Sequence, residues 1–186
     1  VVGWGDPGLP DLHGMYWSSS NDFTEAMYYR LAQAVSFSNS FIKNASELSG
    51  DEVNVFIAEA RFLRAYAYYN LLDLYGNVPL TTEISTELPT QSNRTELFNF
   101  IESELMEIES TLLASNEYGR VDNIAAHALL SRLYLNAEAW TGQDRYADCV
   151  TYSQNVINSG YTLNTNDANG NGTAYDELFM ADNDVN

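Results

Sequence analysis

The run from Asp51 to Tyr75 carries apolar side chains at spacings of three and four without a glycine or proline, then stops at Gly76-Asn77-Val78-Pro79. Such a run predicts one long helix with a marked exit, and a helix of that length needs neighbours along its apolar face. At about 100° per residue, Glu52, Glu59, Asn70 and Asp73 fall on one stripe, while Arg61 and Arg64 project to roughly the opposite side among Phe and Leu. Both arginines therefore read as buried. A buried guanidinium is costly unless carboxylates or carbonyls meet it, so both are expected to be anchored from neighbouring elements.

The same periodicity predicts a helix from Asp22 to about Ala45, ended by Ser46-Glu47-Leu48-Ser49-Gly50. Thr81 to Gln91 reads as a connector with room for a short strand. A third helix starts near Asn93, where Asn93 and Glu96 have the spacing of a capping box. Its core stripe is Leu97, Ile101, Leu105, Ile108 and Leu112, and Glu102, Glu104, Glu107 and Glu109 read as its solvated face. A fourth helix is expected from Asn123 to about Trp140 and a fifth from Asp144 to Ser159, split by Thr141-Gly142-Gln143. Alanines 125, 126, 128 and 137 permit close approach there, and Leu129, Leu130, Leu133 and Leu135 fill the contact. A pair of about 34 residues has the size of a tetratricopeptide unit, in which each pair buries an open face on the next. The fold class is mainly α, built from tetratricopeptide-like helix pairs. Residues 1–21, rich in Gly and Pro and carrying Trp4, Tyr16 and Trp17, read as an aromatic loop, and 161–186 as a loop-rich tail.

Charge excludes several functions. With 26 acidic residues against 8 Lys and Arg, the formal net charge is −18. That surplus repels phosphate backbones and gives no basic face for an anionic membrane, so nucleic acid is not an expected partner. At 45% apolar and 13% aromatic the chain can still bury a core. The single cysteine, Cys149, rules out an intramolecular disulfide and multi-cysteine metal sites, and it reads as a small buried residue. No stretch approaches ~20 continuous apolar residues. Val1-Val2-Gly3-Trp4 has neither a basic nor an apolar leader region, and the missing initiator Met and open-ended finish suggest a segment of a longer chain.

Ala58-Glu59-Ala60-Arg61-Phe62-Leu63-Arg64-Ala65-Tyr66, followed by Leu71-Leu72-Asp73-Leu74-Tyr75-Gly76-Asn77-Val78-Pro79-Leu80, resembles the signature helix and exit of the SusD/RagB family. Ser38-Asn39-Ser40-Phe41-Ile42, the stretch from Ala125 to Leu135, and Tyr161-Thr162-Leu163 leading to Tyr175-Asp176-Glu177-Leu178-Phe179 agree with it. The resemblance covers nearly all of 1–186 as one partial domain, equivalent to the front half of the family's usual length. It implies a SusD-like, surface-exposed, lipid-anchored protein of the bacterial outer membrane. Such a protein captures oligosaccharide or polysaccharide for a TonB-dependent transporter, is not an enzyme and requires no cofactor. Cys149 lies too far inside the chain to be the lipidated cysteine, so the anchor is expected upstream of Val1.

The aromatic loop then becomes the candidate site. Sugar C–H faces stack on indole and phenol rings, and sugar hydroxyls need amide and carboxylate partners. The loop offers Trp4, Tyr16 and Trp17 beside Asp6, His13 and Asn21. Leu12-His13-Gly14-Met15-Tyr16-Trp17 followed by Asn21 resembles the family region that presents a stacking tryptophan and an asparagine, which makes Trp17 the platform and Asn21 a hydroxyl partner. Packing of Trp4 and Trp17 against the helices is the competing reading. His127, between two alanines, reads as a core histidine, and with no second histidine in helical reach zinc is not expected. Asp167, Asn169 and Asn171 match the first half of a calcium loop, but the twelfth position is Leu178, so an Asn- and Gly-rich surface turn is the favoured reading and a calcium site the alternative. Two rival functions stand beside glycan capture. One is a helical-repeat module binding a peptide or protein. The other is a glycoside hydrolase, for which two carboxylates ~5–9.5 Å apart suffice.

Overall fold

The computed structural model describes residues 5–6, 8–165, 167, 170, 172 and 174–179, the side chains of 176 and 177 excepted. Its helices are α1 Leu9–Gly14, α2 Asp22–Ala45, α3 Asp51–Tyr75, α4 Arg94–Ile108, α5 Asn123–Leu135, α6 Ala137–Thr141 and α7 Tyr146–Ile157, with a 3-10 turn at Asp176–Phe179. Two short strands, β1 Val78–Pro79 and β2 Gln91–Ser92, pair antiparallel. Helix α2 packs along α3, α3 along α4, and α5 along α7, so the mainly α, pairwise architecture is the one the periodicity implies. The stripe Leu97, Ile101, Leu105, Ile108 and Leu112 is buried, and it meets Tyr68, Leu72, Leu130 and Leu133 in one core.

Two boundaries differ from expectation, each for a local reason. The first twenty-one residues contain helix α1, because Pro10 fits a first helical turn and Gly8, at φ 89°, supplies the left-handed residue before it. The fourth helix breaks at Asn136, which closes α5 and opens α6. Its amide donates back to the Arg132 carbonyl, a local bond that competes with the helix ladder. A short strand, β2, does form at the end of the connector, and its partner β1 precedes the connector. Gly76, at φ 76°, turns the chain out of α3, and Asn77 then accepts the Arg94 N–H on its side chain and a Gln91 N–H on its carbonyl. The Gly-Asn-Val-Pro exit thus ties the end of α3 to the start of α4, where Asn93 and Glu96 form the capping box in both directions.

The glutamates of α4 are not a free solvated face. Glu104 is 6% exposed, as is Arg64. Its Oε2 accepts from Arg64 Nη2 at 2.6 Å and Nε at 3.1 Å, and its Oε1 accepts from Arg61 Nη2 at 2.6 Å. Arg64 Nη1 also donates to Asn39 Oδ1 at 2.8 Å, while Asn39 Nδ2 donates to the Thr81 carbonyl. Arg64 therefore joins α2, α3 and α4, and through Asn39 the connector. Arg61 is only partly buried, since its guanidinium also reaches the exposed Glu107. Glu102 accepts from Tyr134 and pairs with Arg145, and Glu109 meets buried His127 at 2.8 Å. Cys149 is half-buried rather than buried, near Ser131 and Ser153.

Burial pushes the hydroxyl pKa of Tyr68, Tyr69 and Tyr134 upward, and donation to the Glu102 carboxylate raises Tyr134 further. A phenol with a raised folded pKa keeps its full contribution below its unfolded pKa of about 10. Above that value the unfolded state binds fewer protons than the folded one, so stability falls as pH rises. Chemical unfolding measured from pH 8 to 11.5 is expected to show a declining midpoint that starts near pH 10, and Tyr134→Phe is expected to reduce the slope. A flat profile in wild type contradicts it.

Candidate functional site

Asn21 organises the aromatic segment. Its Oδ1 accepts the N–H groups of Phe23 at 3.1 Å and Thr24 at 3.3 Å, capping α2. Its Nδ2 donates to the Gly8 carbonyl at 3.0 Å, which pins the start of α1 to the start of α2. Asn21 is buried and its amide is committed to these bonds. Its place in the site is therefore to position the loop, in contrast to the hydroxyl contact expected of it. Asn21→Ala is expected to cost about 1 kcal/mol in unfolding free energy and to loosen the loop. Denaturant unfolding checks this, and an unchanged midpoint would show that the cap is dispensable.

With the loop so held, Trp17 lies 48% exposed over an open groove of ≈ 460 Å³. Leu12, Ser18 and Ser19 line it from the loop, Phe23, Thr24 and Met27 from the first turns of α2, and Leu74 and Tyr75 from the end of α3. Tyr75 closes the base: its hydroxyl donates to the Thr24 carbonyl at 2.5 Å and its ring meets Tyr28 edge-on. The lining is mostly apolar, none of the eight cations is part of it, and the polar groups are hydroxyls. An arrangement of this kind offers a flat indole and an apolar wall to a neutral ring, and among the described residues its lining holds no carboxylate, histidine or lysine.

The other expected contacts are placed differently. Tyr16 is exposed and its ring folds over Gly14, where an added Cβ would strike it. His13 is exposed in the last turn of α1 and Asp6 is exposed before it, and neither lines the groove. Trp4 lies outside the described residues. Phe23, Met27, Leu74 and Tyr75 were not legible as lining residues. Their only signal is position, since the start of α2 and the exit of α3 must lie side by side in an antiparallel pair. In the tail, Asp167 Oδ2 accepts the Gly172 N–H at 2.9 Å, and Asn169 and Asn171 lie outside the described residues.

Fold and site together define a helix-pair protein that presents an aromatic wall beside the first pair. Residues 13–135 match the SusD-like family model described as starch-binding and associating with the outer membrane. The chain is 40% identical over 180 residues to the starch-binding protein SusD of Bacteroides thetaiotaomicron, covering 96% of this chain and 31% of that protein. A SusD superfamily structure from Parabacteroides distasonis superposes with a TM-score of 0.76 at 28% identity, over 83% of this chain and 36% of the other. A laminarin-binding SusD-like protein superposes at 0.72 with 25% identity, over 87% and 35%. The chain belongs to the SusD-like family. It spans about a third of the length of these relatives, against the front half that the resemblance implies.

Proposed function

We propose that this chain supplies a stacking wall for oligosaccharide or polysaccharide in a surface protein of the bacterial outer membrane. In this reading the captured glycan passes to a TonB-dependent transporter, and a lipid anchor upstream of Val1 holds the protein at the membrane. The observation that carries it is the half-exposed Trp17 over the groove, in a chain 40% identical to a starch-binding protein. The acidic surplus fits a neutral ligand, because an anionic glycan needs Arg or Lys clamps that the groove lacks. Calorimetry against starch-type α-glucan, laminarin and xyloglucan, with product analysis of each mixture, tests it. Binding to one of them without new reducing ends is the expected result. New reducing ends, or no binding to any of the three, would refute it. Co-purification of the complete gene product with a barrel transporter from outer membranes tests the delivery step.

Capture by stacking and hydroxyl contacts requires no cofactor. A calcium ion held by Asp167 with Asn169 and Asn171 remains part of the proposal. Calcium titration by calorimetry decides between the ion and a plain surface turn: heat in wild type and none in Asp167→Ala supports the ion. No heat in wild type ends the idea.

A further inference from the structure

A second groove lies farther along the α2–α3 seam, remote from the aromatic loop. Phe37 and Phe41 of α2 face Phe56 and Leu63 of α3 across a floor made by Ala60, enclosing ≈ 470 Å³. Phe37 is 66% exposed and Leu63 53%, both large apolar groups facing water. The polar end of the groove is already satisfied. Arg120 pairs with Glu59 at 2.8 Å and lies over the Phe56 ring at 5.0 Å, and Asn116 donates to the same Glu59 oxygen. The lining has no indole or phenol ring, and its two charged groups, Glu59 and Arg120, are paired with each other. Arg30 of α2 falls on the same helical stripe between Met27 and Phe37, so a charge separates this groove from the one under Trp17.

The spacing of the lining identifies the shape of what fits. Phe37 and Phe41 are one turn apart, and Phe56, Ala60 and Leu63 follow at four and three, so the groove is the trough between two helix ridges. Another helix, with its own apolar stripe, fills such a trough at an axis separation of about 8–10 Å. A second copy of this chain is a poor occupant, because it brings a formal charge of −18 against another −18. The related structures, by contrast, carry more than twice this length of chain, of which the present residues cover 36% and 35%. In helix-pair architectures the open face of one pair is buried by a neighbouring element. We propose that the Phe37–Phe41–Phe56–Leu63 groove seats an amphipathic helix supplied by another part of the same polypeptide.

The test uses the complete gene product, with Cys149 and any other free cysteine replaced by serine and Phe37→Cys adding a reporter. If the groove is occupied, maleimide labelling at position 37 is slowed at least about tenfold relative to the same variant unfolded in urea. A photo-crosslinking phenylalanine analogue at position 37, read by mass spectrometry, is expected to join a peptide of the same chain that has helical apolar spacing. Labelling as fast as in the unfolded chain, or a crosslink only to a second copy or to a different protein, overturns the proposal. Phe41→Cys repeats the measurement from the facing turn should Phe37→Cys fail to fold.

Discussion

Replacing Glu104 by alanine is expected to remove about 3–5 kcal/mol of unfolding free energy, because the carboxylate is the shared partner of two guanidinium groups and one of them is buried. Arg64 and Glu104 are each 6% exposed, and Arg64 makes two hydrogen bonds to a single Glu104 oxygen. Removing the acceptor leaves a charge with little water to replace it. Asn39 and a 3.4 Å contact to the Thr82 carbonyl remain, and both are neutral acceptors. For a chain of this size the loss corresponds to a fall in Tm on the order of 10 °C. Arg64→Ala is expected to cost nearly as much, since it strands Glu104. Arg61→Ala should cost less, because Arg61 is partly exposed and its second partner, Glu107, lies in solvent. The double variant Arg64→Met with Glu104→Leu should lose less than the two single losses combined, as expected for a coupled pair. Wild-type melting in both Glu104→Ala and Arg64→Ala would remove the cluster from any account of stability.

The consequence reaches the groove. The Arg64–Glu104 pair fixes α3 against α4 and, through Asn39, against α2. The far end of α3 carries Leu74 and Tyr75, which form the base under Trp17. A loosened α3 therefore moves one wall of the groove relative to the other. Glycan affinity is therefore expected to fall in Glu104→Ala and Arg64→Ala although neither residue lines the groove.

How much of this was legible in the sequence depends on the distance between partners. Helix α3 could be bounded from its own residues, because Gly50 and Gly76 flank an unbroken apolar period. The Asn93–Glu96 box was equally local. That Arg64 needed an anchor also followed from its phase among Phe and Leu, but the identity of the anchor did not. Glu104 stands 40 residues away on a helix whose four glutamates look alike, and only tertiary packing picks it out. Asn21 shows the same limit in the opposite direction. Its type and place suited both a sugar contact and a helix cap, and the hydrogen bonds to Phe23, Thr24 and Gly8 give it the second task. Periodicity also overran Asn136, since the alanines and leucines on either side continue the apolar pattern while one asparagine amide breaks the helix.

Trp17→Ala is expected to weaken glycan binding by about 2 kcal/mol or more, roughly thirtyfold in Kd, if the groove is the capture surface. Trp17 is the largest ring in the lining and its indole is half-exposed. Truncating it removes the flat apolar face without disturbing a hydrogen bond shown for the fold, so Tm should stay close to wild type. Trp17→Phe keeps a smaller face and should recover part of the affinity. Tyr16→Ala is the discriminating control: Tyr16 is the more exposed ring, yet it lies over Gly14 outside the groove lining. If affinity followed exposure alone, Tyr16→Ala would be the more damaging change; if it follows the groove, Trp17→Ala is. Calorimetry with the tightest glycan of the panel, run beside thermal melts of all three variants, separates these outcomes. Undiminished binding in Trp17→Ala, with the fold intact, would place the capture surface elsewhere on the protein.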